Sequence, residues 1–255
     1  MLLDSKNAVI FAATGAIASV VARQFAKEGA TVWLSGRNEA TLKELADAIR
    51  ADGGTAHVDV VDATDTEAVT TYVDRVAEAG VIDVMFNGIG ARPVDLGYPI
   101  PAAAITYEQF MIPFNKIVWS TFLTSRAVGG KMAQTGGGSI VTLTATLSSM
   151  TAPFMENIVA ASAAIEGLTR SLAGEFGPAG VRVNCVRGNA MPETRTIQET
   201  GAGYAELGIN IPMVMPPLGR PISVLETAKT AAFLASDLAS GMTGQVVTVS
   251  AGAFV

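Results

Sequence analysis

Ala8-Val9-Ile10-Phe11-Ala12-Ala13-Thr14-Gly15-Ala16-Ile17-Ala18 starts as an apolar run, passes through a turn of small residues and continues into a helical segment that ends at Glu28-Gly29-Ala30. The same alternation recurs to the end of the chain. Ala8 to Ala12, Thr31 to Ser35, His57 to Val61, Val81 to Phe86, Ser139 to Leu143, Val181 to Val186 and Gln245 to Val249 read as strands, with helices between them. Leu42, Leu45 and Ile49 recur at helical spacing after Asn38, and Val69, Val73 and Val76 do so behind the capping pattern Thr64-Asp65-Thr66-Glu67. Similar caps are expected at Thr106 to Gln109 and Ser223 to Glu226. Pro113 suits a first turn better than a helix interior, so a short helix should end near Ile112 and a long one, carrying Asn115 and Trp119, should start there. Strand-helix-strand spacings of about 25 to 30 residues demand right-handed crossovers and a parallel sheet. The expected fold is α/β, a Rossmann-type doubly wound parallel sheet of about seven strands.

Composition agrees with a sheet covered on both faces: 49% of the 255 residues are hydrophobic and 16% charged. Chains of this length commonly remain one unit, so residues 1–255 are expected to form one domain. The net charge of −6, with basic residues dispersed among acidic ones, offers no counterion-release term, and no nucleic-acid partner is expected. No apolar run approaches the roughly 18 residues of a membrane span, and the start Met1-Leu2-Leu3-Asp4-Ser5-Lys6 has no basic leader, so a cytoplasmic protein without membrane attachment is expected. Cys185 lies in an apolar run and reads as a small buried hydrophobe. His57 is the only histidine and falls in a strand away from the expected cleft, which argues against a Ser-His-Asp triad and against a metal site.

Ligands of such sheets bind beyond the carboxyl ends of the strands, so the informative residues should follow Ala12, Ser35, Val61, Phe86, Leu143 and Val186. Two loops there are long and rich in Gly and Pro, Ala91 to Ile105 and Gly188 to Pro217; the second has enough apolar residues to serve as a substrate lid.

Several segments fix a family resemblance over nearly the whole chain: Asp62, Asn87-Gly88-Ile89-Gly90, Asn115, Ile165-Glu166-Gly167-Leu168-Thr169-Arg170-Ser171-Leu172-Ala173, Gly219-Arg220-Pro221, Ala232 to Asp237 and Met242-Thr243-Gly244-Gln245. Together they resemble the short-chain dehydrogenase/reductase family. The resemblance implies a nicotinamide dinucleotide, a small-molecule substrate, and a homo-oligomer, most simply a tetramer, paired through Pro113 to Gln134, Ile158 to Gly177 and the C-terminal helix and strand.

Against that pattern the first turn departs. The family places three glycines there, so that the backbone turns tightly and brings helix-end N–H groups to the pyrophosphate. In register with Ile17, those positions hold Ala12, Ala16 and Ala18, and Gly15 alone remains beside Thr14. A methyl at Ala16 points near the phosphates, and Ala12 is strained if its position needs positive φ; small backbone shifts that accommodate both are an equal alternative. At the adenosine end Ser35-Gly36-Arg37-Asn38 replaces the acidic residue of NAD-preferring relatives, and Arg37 can hold a 2′-phosphate, so NADP(H) is favoured, with low affinity. Arg37 is also an ordinary solvated residue in such a place, and Asn38 an ordinary helix cap. The resemblance puts Asp62 and Ala63 beside adenine, Asn87, Gly88 and Ile89 beneath the adjacent ribose, Gly188 at the start of the lid and Thr194 near the carboxamide.

The acid-base set departs further. Relatives use an Asn, a Ser and a Tyr and Lys four residues apart, in which the Lys lowers the Tyr pKa and holds the nicotinamide ribose. In register with Ile165-Glu166-Gly167-Leu168-Thr169, Ile158 stands at the Tyr position, Ser162 at the Lys position and Ala145 at the Ser position, and Asn115 alone is kept. Tyr98, Tyr107, Tyr204 and Glu156 are the substitute donors to consider. Phe154, Met155, Met191, Met213 and Met215 suggest an apolar mouth, although core or lid packing explains them equally. The expectation is an oxidoreductase-like protein with a weakened NADP(H) site, no metal and no ordinary carbonyl reduction; the alternatives are a non-redox enzyme of lyase, isomerase or dehalogenase type, or a non-catalytic binding or partner subunit.

Overall fold

The computed structural model describes residues 1–209 and 215–254. Strands β1 (Asn7–Phe11), β2 (Thr31–Gly36), β3 (Thr55–Val60), β4 (Val84–Asn87), β5 (Gly138–Ala145), β6 (Val181–Gly188) and β7 (Val246–Val249) form one sheet in the order β3-β2-β1-β4-β5-β6-β7. Every neighbouring pair is parallel. The order reverses between β1 and β4, which opens a crevice at their carboxyl ends. The helices are α1 (Ala16–Lys27), α2 (Glu39–Ala51), α3 (Thr66–Ala79), α4 (Pro93–Leu96), α5 (Tyr107–Pro113), α6 (Trp119–Gln134), α7 (Glu156–Phe176), α8 (Arg195–Glu206) and α9 (Val224–Ala235). None among the described residues is long and apolar enough to cross a membrane.

Side chains alternate across each strand, and β1 shows the result. Ala8 and Ile10 enter a core with Val21 and Phe25 of α1 and Ala231 and Leu234 of α9. Val9 and Phe11 enter the opposite core with Val69 and Val73 of α3 and Leu123 of α6. A third cluster, of Leu96, Tyr98, Ile117, Met155, Ile165, Cys185 and Tyr204, packs the long loops onto the first half of α7.

Three local expectations need correction. The fourth strand starts at Val84, because the Asn7 N–H donates to Asp83 Oδ2 at 2.8 Å rather than to a strand carbonyl, and Val81 is left 48% exposed. Asp65, not Thr64, caps α3 by accepting the Ala68 N–H at 3.0 Å; the Thr64 N–H and hydroxyl both turn to Asp62 Oδ1, at 2.9 and 2.7 Å. The boxes at Thr106 and Ser223 form as expected. Finally, Pro113 does not restart a helix. It ends α5, a π-helical turn follows over Phe114–Val118, and α6 continues directly. The Trp119 N–H returns five residues to the Phe114 carbonyl, so the wide turn absorbs the register shift that the proline ring imposes.

Candidate dinucleotide and substrate site

The turn after β1 is tight, with Gly15 in it and Ala12, Ala16 and Ala18 at the places where the resemblance expects glycine. Ala12 takes φ +51, the Gly15 N–H closes on the Ala12 carbonyl at 2.9 Å, and the Ala13 N–H ties the turn to Ser35 O at 2.9 Å. Gly15 caps α1 with no side chain on its first turn, which leaves helix-end N–H groups to a ligand or to water. Thr14 and Ala16 are exposed at the rim. The methyl of Ala18 is accommodated by a second glycine: a Cβ built on Gly88 would lie 2.5 Å from it. Ile17 packs toward Met191, Ile222 and Val224, so the inner wall of the turn is apolar.

Around the crevice Ser35 is buried, with its hydroxyl donated to Ile10 O at 3.2 Å, and is spent on holding β2 to β1. Arg37 is exposed, and Asn38 caps α2 through the Thr41 N–H at 3.2 Å. Hydrogen bonds from Thr64 hold the Asp62 carboxyl below its usual range, and the Arg37 guanidinium adds a smaller pull in the same direction. Ala63 is partly buried. Asn87 is buried; its Nδ2 donates to Thr124 Oγ1 at 2.8 Å and its Oδ1 accepts the Ile89 N–H at 3.0 Å, which fixes the path of Gly88 and Ile89.

At the other end of the crevice most of the hydroxyl groups are bonded within the protein. Ala145 ends β5 opposite Gly188. Ser162 is 3% exposed; its hydroxyl donates back to Ile158 O at 2.8 Å and its carbonyl accepts Thr144 Oγ1 at 3.3 Å. Ile158 packs into the loop cluster. The Thr194 hydroxyl donates to Met191 O at 2.8 Å, Thr146 Oγ1 donates to Asn189 Oδ1 at 3.0 Å, and Ser148 donates to Glu166, which also pairs with Arg187 at 3.4 Å. Gly188 is buried against Met191. Asn115 is exposed on the π-helical turn, with no side-chain hydrogen bond among the described residues.

The four candidate donors differ in how the fold holds them. Burial pushes Tyr98 up to about 12, and it raises Tyr204, whose hydroxyl donates to Pro153 O at 2.5 Å. Tyr107 is 73% exposed. Glu156 keeps one buried carboxylate oxygen without a hydrogen bond. Cys185 is fully buried and its thiol pushed up to about 12, the profile of a packing residue.

The two long loops meet over this end. Arg92 Nη2 and Nε reach Glu199 Oε1 of α8 at 2.7 and 3.0 Å, and a Cβ on Gly203 would lie 2.7 Å from Pro99. Phe154, at φ +64, stands edge-on to Tyr204 with centroids 6.5 Å apart; so bulky a residue in that conformation is strained. Met155 and Met191 are buried whereas Met215 is 63% exposed; Met213 and residues 210–214 of the lid lie outside the described residues. Two features carry no sequence signal strong enough to find them: the Arg92–Glu199 pair, separated by 107 residues, and Asn157, fully buried and bonded to Leu96 O and Gln109 O.

Comparison with known proteins agrees with this architecture. A family model described as enoyl-(acyl carrier protein) reductase matches residues 12–253. The chain is 31% identical to an uncharacterized oxidoreductase, YxbG, of Bacillus subtilis, covering 98% of this chain and 91% of that one. It is 30% identical to a 3alpha-hydroxysteroid dehydrogenase of Mediterraneibacter gnavus, covering 99% and 98%. Among solved structures, a 7 alpha-hydroxysteroid dehydrogenase complexed with NADH and 7-oxo glycochenodeoxycholic acid superposes with a TM-score of 0.84 at 28% identity, over 98% of this chain and 94% of that one. A gluconate 5-dehydrogenase of Burkholderia cenocepacia, in complex with NADP and tartrate, does so with a TM-score of 0.84 at 25% identity, over 98% and 95%. With this sheet order, this crevice and these relatives, the chain belongs to the short-chain dehydrogenase/reductase family.

Proposed function

We propose that this protein binds NADP(H) weakly in the β1–β4 crevice and does not perform the ordinary carbonyl reduction of its family. The observation that carries the second half is Ser162, a short hydroxyl turned back onto the Ile158 carbonyl where relatives hold a lysine. With Ile158 and Ala145 at the other two positions, the described residues offer neither the family's proton relay nor its ammonium for the nicotinamide ribose. The first half rests on the turn: Ala12 still adopts the left-handed conformation, and α1 still offers uncapped N–H groups, so the backbone fits a pyrophosphate. Ala16 narrows that fit. Thr14, Gly15, Ile17, Gly88 and Ile89 would line the diphosphate and ribose, and Gly188 and Thr194 the nicotinamide end. Such a cofactor supplies or accepts hydride when bound. Arg37 and Asn38 would face the 2′-phosphate, with Asp62 and Ala63 beside the adenine.

Titrating the purified protein with NADPH and NADH tests this reading, and NADPH should bind more tightly. Arg37→Ala should abolish the preference. Micromolar NADH affinity without any NADPH preference would contradict it, and no binding of either would favour a partner subunit or a non-redox reaction. The same reading treats residues 1–255 as one unit, with Gly188 to Pro217 as its lid, assembled as a cytoplasmic homotetramer. Leu225, Phe233 and Leu238, 45%, 37% and 70% exposed on and beside α9, support the assembly, and a monodisperse monomer in light scattering would reject it.

A further inference from the structure

We propose that Asn157 is a positioning residue: its side-chain amide pins the flap formed by α4 and α5 to the first turn of α7 and thereby sets the packing of the apolar cluster around Ile158. That this cluster borders a ligand rests on the function proposed above; the pin itself does not.

Two broken helices create the need for it. The short α4 ends at Leu96, where Gly97 turns at φ +69 and returns its N–H to Pro93 O, so the Leu96 carbonyl has no helical partner. In α5 the Gln109 carbonyl lies four residues before Pro113, which has no N–H to give it, and the next N–H, of Phe114, goes to Met111 O. Asn157 Nδ2 donates to Leu96 O at 3.0 Å and to Gln109 O at 3.2 Å, so both amide hydrogens are used on carbonyls 61 and 48 residues away. Its Oδ1 accepts the Ile158 N–H at 2.7 Å, one of the N–H groups that the first turn of α7 leaves without a helical partner. Asn157 is 0% exposed, so water cannot stand in for any of the three bonds.

The consequence reaches the site because the flap supplies Leu96, Tyr98 and Ile112 to the cluster that holds Met155, Ile158 and Tyr204. No other side chain of this size offers two hydrogens in one plane. The isosteric change Asn157→Asp is not an equivalent in kind, since it would set a carboxylate against two carbonyls.

Hydrogen exchange read by mass spectrometry on the full-length chain tests the pin, with residues 93–113 as the reporting segment and α1 and α9 as internal controls. Asn157→Ala should raise exchange there by about tenfold or more, with Asn157→Asp at least as large, while the controls stay within about twofold. Pro113→Ala restores an N–H opposite Gln109 O, so Asn157→Ala should cost clearly less protection in that background. A generic packing defect would show no such rescue. Fluorescence of 1-anilinonaphthalene-8-sulfonate, an apolar probe, should rise in Asn157→Ala and fall back with Pro113→Ala. If Asn157→Ala does not accumulate as folded protein, recovery by added Pro113→Ala supports the pin and failure to recover overturns it. Unchanged exchange over 93–113, or an equal rise in the controls, also overturns it. Neither readout needs NADPH to bind, so failure of the cofactor reading would be seen separately.

Discussion

Ala12→Gly should make this protein more stable, against the usual effect of adding a glycine. Ala12 sits at φ +51, where its Cβ crowds the backbone, a conformation that costs an L-residue about 1–2 kcal/mol. Glycine removes that cost but returns about 0.5–1 kcal/mol of freedom to the unfolded chain. The balance is a gain of about 0.5–1 kcal/mol, equivalent to roughly 1–4 °C in Tm for a chain of this size. Ala251 is an independent copy of the same situation, at φ +53, and Ala251→Gly should gain a similar amount. Ala18→Gly is the contrasting control: it lies inside α1, 1% exposed and packed on Gly88, so it should lose about 1 kcal/mol or more. Urea denaturation of the three variants settles the order. A lower midpoint for Ala12→Gly than for wild type would show that the turn is not strained and that the alanine fits. Ala16 has no left-handed conformation to relieve, so Ala16→Gly should not stabilise; combined with Ala12→Gly it should tighten NADPH, and an unchanged affinity would show that the methyls never obstructed the pyrophosphate.

Three further outcomes follow from the same geometry. Wild type should show no carbonyl reduction with NADPH on ketones, aldehydes or quinones, whereas Ala145→Ser/Ile158→Tyr/Ser162→Lys should give detectable turnover and Ile158→Tyr alone much less, since a positioned donor contributes about 10²–10⁴-fold; robust wild-type turnover undiminished by Asn115→Ala would refute the degenerate centre. Arg92→Ala should leave the global unfolding midpoint unchanged but speed limited proteolysis of residues 195–209, and high salt should do the same to wild type, because the Arg92–Glu199 pair is partly exposed; equal protection in both would show that the pair does not hold the two loops together. The Arg220 guanidinium holds Glu226 near 2, below its ordinary 4.5, so its contribution is fully present above about 4.5 and is lost as pH falls through about 2. Acid unfolding of Glu226→Gln should therefore flatten in that window, by a modest amount because the pair is 55% and 36% exposed.

The strands can be located from the sequence because each is a short apolar run bounded by turn residues, and β1, β2, β5 and β6 begin within about a residue of the expected positions. Where the structure departs from expectation, a side chain has taken over a backbone bond: Asp83 displaces the start of β4, and Asp62 claims Thr64 and leaves Asp65 to cap α3. Pro113 is legible as a disturbance but not as a π-helical turn, since its effect depends on what receives the Gln109 carbonyl, a residue far along the chain. The left-handed backbone at Ala12 is only half legible, because the sequence raises it as a condition and leaves accommodation by small backbone shifts as an equal alternative. The commitment of the Ser162 and Thr194 hydroxyls is not legible at all, because a serine or threonine looks the same in sequence whether its hydroxyl is free or turned back on its own helix.

The back-turned Ser162 also constrains the order in which chemistry can be put into this scaffold. Ser162 is 3% exposed, so Ser162→Lys made first would bury an ammonium with no phenol or ribose to meet it, at a penalty of several kcal/mol, less whatever Glu166, one turn further along α7, returns. Ile158→Tyr made first replaces a half-buried hydrocarbon by an amphipathic ring and asks little of the fold. Directed evolution toward a reductase should thus pass through the tyrosine before the lysine, and a library that fixes the lysine at the outset should yield fewer folded clones than one that fixes the tyrosine.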